Sequence, residues 1–396
     1  MKVSLCASIL SRRNLFATSS SSSLVKTAAT AVSSKEVRDF DPLPKSLSRL
    51  SKSYLHSESD GSEEKILVTG ASGQVGQELV PFLQSEYGGK NVIASDLCSA
   101  TNLDNKSSSG MSIRHVDVLN PEDLSEIVRN ENINTIVHLA AVLSAKGELN
   151  PQMALKVNNE GTQNVLEIAR EENLKVFCPS SIATFGPTSP KSNTPDDCIL
   201  QPTTMYGITK VHTELLGEYY HKMYGVDFRC LRYPGVISTK AKPGFGTTDY
   251  AVEIFREAIR TWQYTCYLKK DTTLPMIYMP DLLKGTKELL QADPTILKRR
   301  TYNLGAMSFT PHQLACSIER VIPDFHVGYE PDFRQAIADS WPSSIDYSCA
   351  INDWGWSPDF KDVDAMTVDI LGQYAEDLKE RESPLWEQHA ADAVLL

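Results

Sequence analysis

From Lys65 onward the chain alternates short apolar runs with longer stretches whose apolar residues recur every three or four positions. Runs of four or five residues rich in Val, Ile and Leu predict buried strands, and the longer period predicts amphipathic helices. Strands are expected over 65–69, 91–95, 113–116, 135–139, 175–178 and 228–231. Between them the pattern predicts helices over 77–86, from Pro121 with Leu124, Ile127 and Val128 on its apolar face, over 153–171, and over 205–224, the last set off by Pro202. Six strands joined by helices within about 170 residues predict an α/β fold with a doubly wound parallel sheet. After Pro243 the alternation loosens into helices over 250–260 and 282–291 and aromatic-rich loops. Residues 64–237 are therefore expected to form a Rossmann-type domain, and 238–396 a smaller C-terminal substrate domain with segments returning to the first sheet.

The beginning of the chain has no such pattern. It carries Lys2, Arg12, Arg13, Lys26 and Lys35, has no acid before Glu36, and is crowded with Ser, Thr and Ala, the composition of an organelle transit peptide. Residues 1–63 are read as that peptide and a leader outside the fold. Apolar blocks on either side of Arg12 and Arg13 point to the mitochondrial matrix, the serine run 19–23 keeps a plastid as second choice, and a tail without address is the alternative.

Composition narrows the partners. A formal net charge of -11 offers no basic field for a phosphate backbone, so nucleic acid is not expected and a small molecule is. The eight cysteines are scattered, with no Cys-x-x-Cys pair or zinc spacing, so no metal is expected. No run approaches the roughly 18 apolar residues that cross a membrane.

Between the first strand and first helix stands Thr69-Gly70-Ala71-Ser72-Gly73-Gln74-Val75-Gly76. Three glycines there allow a tight turn and close approach of a pyrophosphate to backbone N–H groups at a helix N-terminus. Asp96, followed by Leu97, closes the second strand where a carboxylate accepts hydrogen bonds from a ribose. A 2′-phosphate would meet its charge, so NAD is favoured over NADP. Asp117-Val118 and Ala140-Ala141 follow the third and fourth strands, either as cofactor contacts or as plain strand-to-helix linkage.

Tyr206 and Lys210 lie four apart on one helix face. A phenol is a poor base at neutral pH, and a cation held beside it stabilises the phenolate, which can then take a proton. Upstream, Ser181 ends the fifth strand and can hold a reacting alcohol beside Tyr206, or simply cap a turn.

Thr69 to Gly76, His138 to Ala141, Asn158 to Asn164, Ser180 to Gly186, Tyr206 to Lys210 and Leu231 to Pro234 together resemble the extended short-chain dehydrogenase/reductase family. Further segments, among them Ala183 to Pro190, Gly244 to Ala251 and Ser340 to Pro342, are similar to its mitochondrial branch that oxidises L-threonine. That resemblance implies conversion of L-threonine to L-2-amino-3-oxobutanoate with hydride passing to NAD, and a homodimer built through the tyrosine helix. It implies Tyr206 as base, Ser181 as its companion and Lys210 as electrostatic and ribose partner. It places Val236 with the cofactor, and Ser144, Thr247, Thr248 and Trp341 around the amino acid. For Thr247-Thr248 a helix cap is the plainer reading, and for Trp341 a core aromatic. Two other functions stay open: a nucleotide-sugar epimerase or dehydratase, for which Lys240, Lys242, Lys269 and Lys270 are the available cations, and a non-catalytic NAD-sensing module. The glycines of the 243–248 loop suggest closure over substrate.

Overall fold

The computed structural model describes residues 64–97, 112–240, 244 and 246–380. The leader 1–63, residues 98–111, the loop positions 241–243 and 245 with Lys242, and the tail beyond 380 lie outside the described residues.

Strands β1 (Ile66–Thr69), β2 (Val92–Asp96), β3 (Ile113–His115), β4 (Thr135–His138), β5 (Lys175–Phe177), β6 (Ser180–Ser181), β7 (Asp227–Tyr233) and β11 (Thr301–Asn303) make one sheet. All its pairings are parallel, in the order β11-β7-β5-β4-β1-β2-β3, with β6 beside β7. β1 and β4 are buried along their whole length, as strands covered on both faces must be. The order reverses between β1 and β4, and that switch opens a crevice at the strands' carboxyl ends.

The helices around the sheet are α1 (Gly76–Tyr87), α2 (Pro121–Glu131), α3 (Ser144–Leu149), α4 (Pro151–Leu155), α5 (Gly161–Glu172) and α6 (Met205–Tyr224). The sequence predicts one helix over 153–171. The structure instead inserts a π-helical turn, Lys156–Glu160, between α4 and α5. α6 runs as predicted, opened by the Thr204 hydroxyl, which accepts from Gly207 N at 3.1 Å, and closed by Gly225 at φ 77°.

Three more strands, β8 (Gly235–Ile237), β10 (Leu274–Tyr278) and β12 (Met307–Phe309), form a second sheet, and β9 (Gln263–Cys266) pairs with β13 (His326–Tyr329). Helices α7 (Tyr250–Arg260), α8 (Met279–Gln291), α9 (Pro311–Val321), α10 (Arg334–Ser340), α11 (Ser348–Trp354) and α12 (Val363–Glu380) complete the chain. One apolar core joins α7, β10, α9 and α12; two others lie on the faces of the large sheet. Through β11 a late segment returns to the first sheet, so it has eight strands rather than the six of the sequence pattern.

Candidate active site

The crevice at the β1/β4 switch is a cleft whose roughly 1010 Å³ of space between atoms includes open solvent. Its wall starts at the glycine turn. Gly70 takes φ +70°, and a Cβ there would stand 2.6 Å from Ala140 N, so no side chain fits between this turn and the end of β4. A Cβ on Gly76 would meet Gly70 O at the same distance, which ties the start of α1 to the turn. Ala140 thus packs behind the turn, while Gly70, Gly73, Gln74, Val75, Gly76 and Ala141 line the cleft.

These residues suit an anionic dinucleotide. The side-chain Nε2 of Gln74 is buried without a hydrogen-bond partner, a donor on the cleft wall waiting for an acceptor. Ser72 donates to Asp96 Oδ2 twice, from its backbone N at 3.0 Å and its hydroxyl at 2.5 Å, which fixes a carboxylate at the end of β2. The residues that would hold NAD are thus the 70–76 turn, Ser72-Asp96 and Val236, the last also on the cleft wall.

Six predicted positions, Ser72, Asp96, Leu97, Asp117, Val118 and Ala140, stand outside this wall. Asp117 Oδ1 accepts from Leu119 N at 2.9 Å and braces its own turn. Val118 is buried against Gly161, and its carbonyl accepts from Asn164 Nδ2 at 2.9 Å. Leu97 is 60% exposed, and Asp96 sits behind Ser72.

Across the cleft, α6 presents Tyr206 and Lys210. The Lys210 ammonium donates to the Pro179 carbonyl at 2.8 Å and lies 5.6 Å from the centre of the Tyr206 ring. Lys210 is buried and Tyr206 half-buried, and away from bulk water a cation acts on a phenol more strongly. Ser181 lines the same wall and does cap a turn: its Oγ accepts from Ala183 N at 3.2 Å. The bond uses a lone pair and leaves the hydroxyl hydrogen available to an oxygen in the cleft.

Beyond Tyr206 stand Ser144, Thr247, Thr248 and Trp341. The Ser144 and Thr247 hydroxyls meet at 3.3 Å, although they are 103 residues apart in sequence. Neither threonine caps α7: the residue before the helix is Asp249, and no side chain caps it. Trp341 belongs both to the cleft wall and to the core beneath it.

Several wall residues are not singled out by sequence patterns, among them Pro179, Ser180, Tyr233 and Asp249. Pro179 acts through a carbonyl, which residue type does not reveal. Asn158 is another, behind the wall. From the π-helical turn its side chain accepts from Val142 N at 2.8 Å and donates to Val142 O at 3.1 Å and Thr209 Oγ1 at 3.0 Å, fixing the strand end after β4 to the tyrosine helix. Its neighbour His138 is buried, with Nδ1 2.8 Å from Thr69 Oγ1; burial, then the charge of Lys210, pulls its imidazole down to about 3, so it stays neutral.

Known proteins agree with this layout. The pattern of the NAD dependent epimerase/dehydratase family matches residues 66–305. Mitochondrial L-threonine 3-dehydrogenase of Bos taurus is 48% identical over 311 residues, 78% of this chain and 83% of that protein. Among solved structures, L-threonine dehydrogenase from Phytophthora infestans is 50% identical with a TM-score of 0.76, covering 80% of this chain and 100% of its own. A monomeric L-threonine 3-dehydrogenase from a metagenome is 44% identical, with a TM-score of 0.73 over 78% of this chain and 98% of its own. The matched region spans both the glycine turn and the tyrosine helix, and the chain belongs to the NAD dependent epimerase/dehydratase family.

Proposed function

We propose that this chain oxidises L-threonine at its hydroxyl-bearing carbon to L-2-amino-3-oxobutanoate, with NAD as electron acceptor. The observation that carries the reading is the far end of the cleft. There Ser144, Thr247, Thr248 and Trp341 line the same cleft as Tyr206, and among the described residues Lys210 is the only cation on the wall. A nucleotide sugar would bring a second diphosphate and need more positive charge. Lys240, Lys269 and Lys270 are not on the wall, Lys269 pairing instead with Asp339 at 3.3 Å. The relatives from Bos taurus and Phytophthora infestans carry threonine dehydrogenase names, which supports the same reading.

In this mechanism Ser181 donates to the substrate hydroxyl oxygen and holds it beside Tyr206. The Tyr206 phenolate takes the hydroxyl proton, and Lys210 favours the anionic form that can do so. Bound NAD supplies the acceptor for the hydride leaving the same carbon. Positioning and proton transfer each contribute, the latter typically about 10²–10⁴-fold.

The test follows absorbance of reduced NAD with L-threonine, L-serine, D-threonine and UDP-galactose, beside Tyr206→Phe. Threonine-dependent reduction is expected, with kcat lost by at least ~10²-fold in the variant and NAD affinity retained. UDP-sugar interconversion without threonine oxidation would move the site to the epimerase reading.

The basic, serine-rich leader and the bovine relative's mitochondrial name support a mitochondrial location. Residues 1–63 fused to a fluorescent protein should collect in mitochondria; uniform cytosolic signal would refute the address. A homodimer through the outer face of α6 is the assembly this reading favours.

A further inference from the structure

We infer that Glu214, which touches no reacting group, is a positioning residue that sets Tyr206, Lys210 and Ser181 in register by bolting the end of β6 to α6. The inference rests on the oxidation proposed above for its kinetic consequences. Tyr206, Lys210 and Glu214 follow one another at intervals of four on α6 and so share a face, turned to the strand end 179–181. The two lower members each grip that strand end. Lys210 donates to the Pro179 carbonyl at 2.8 Å, and Glu214 Oε1 accepts from the Ser180 hydroxyl at 2.5 Å. The next residue is Ser181.

Glu214 is itself held. Arg232 donates to it through a two-point fork, Nε to Oε1 at 2.8 Å and Nη2 to Oε2 at 2.7 Å, and both side chains are 6% exposed. Arg232 stands opposite Ser180 in the β6/β7 register. Its remaining nitrogen, Nη1, donates to the Asp196 carbonyl at 2.7 Å and Asn303 Oδ1 at 3.3 Å, and its guanidinium lies 5.2 Å over the Phe185 ring. The carboxylate therefore has one place to be, and Ser180 is fixed by it.

A buried ion pair adds little net stability over apolar residues of the same shape, so stability alone does not account for this one. What it supplies is direction. An apolar pair could fill the space but could not hold the Ser180 hydroxyl, and without that bond the Pro179 carbonyl and the Ser181 hydroxyl are free to shift relative to Tyr206. Misplacement of about 1 Å at such a site can cost about 10²-fold in rate.

The first variant is Ser180→Ala, which cuts the link while leaving the ion pair intact. It should lower kcat for L-threonine about 10- to 100-fold, leave the KM for NAD within about twofold, and move the acid limb of the pH–kcat profile to higher pH. The last is expected because Lys210 loses its fixed place beside the phenol. Ser180→Thr keeps the hydroxyl and should recover most of the rate. The double variant Glu214→Leu/Arg232→Met, which also frees the Asp196 carbonyl from Arg232, should fold with lowered thermal stability and, where folded, remain slow. Parental kcat and pH profile in either Ser180→Ala or the folded double variant would overturn the inference.

A readout independent of substrate keeps the two proposals apart. The ¹³C resonance of the labelled Tyr206 ring, assigned by its loss in Tyr206→Phe, should move in Ser180→Ala relative to the parent as the ring's surroundings change. If the parent does not oxidise threonine, the proposed function fails while this change still supports the positioning role; an unmoved resonance overturns the role whatever the substrate.

Discussion

Single residues near the cleft are held in definite charge states by burial, and His138 is the clearest case. Its imidazole is 4% exposed and is pulled from its ordinary value near 6.5 to about 3, chiefly by burial and secondly by Lys210. The unfolded chain binds a proton near pH 6.5 that the folded chain refuses until near pH 3. In that window the unfolded state holds more protons, so stability present at neutral pH drains away as pH falls. The contribution amounts to about 2 kcal/mol between pH 6.5 and 5. His138→Asn should therefore flatten the dependence of urea-unfolding free energy on pH over that range, relative to the parent. Carboxylates titrate alike in both chains and cancel in the difference. Equal slopes would mean that His138 is not the titrating group. A neutral imidazole also matters to the site, because a second cation beside Lys210 would compete for the same acceptors.

At the scale of elements, what the sequence reveals and what it hides divide by mechanism. Local rules act on α6: Thr204 caps it, Gly225 ends it, and its bounds are those the periodicity predicts, 205–224. β1, the glycine turn and α1 are equally legible, because strand pattern, turn chemistry and helix start coincide within a few residues. The π-helical turn at 156–160 was not legible, since it is defined by i→i+5 backbone hydrogen bonds that no residue type marks. Nor was β6, a two-residue strand whose existence depends on β7 being there to pair with it. β11 is also short, and each of its three residues pairs with a β7 residue 71 positions earlier. The site divides likewise. Tyr206, Lys210 and the 70–76 turn are carried by spacing within one element, whereas the Ser144–Thr247 contact and the Glu214–Arg232 fork are tertiary facts with no local signature.

At the scale of the whole molecule, α6 is a helix with two obligations. Its inner face carries Tyr206, Lys210 and Glu214. Its outer face leaves Ile208, Leu215, Tyr219 and Met223 between 47% and 66% exposed, at helical spacing that puts them in one stripe. Leu149 and Met153, from the adjoining α3 and α4, are exposed at 71% and 50%. The proposed homodimer would bring this stripe onto its own image across a two-fold axis, since an isologous contact needs only one surface to be complementary to itself. Leu215→Glu/Met223→Glu should accordingly halve the mass in sedimentation, through repulsion of like charges brought together at the axis. A monomeric parent, or an unchanged mass in the double variant, would remove this interface. The likeness to a monomeric threonine dehydrogenase sharpens the second half of the prediction. The cleft wall lies on the inner side of α6, away from the exposed stripe, so the separated subunit should retain turnover per chain at low temperature. What it should lose is thermal stability, because the same helix that would be stripped of its partner is the one that carries the catalytic face.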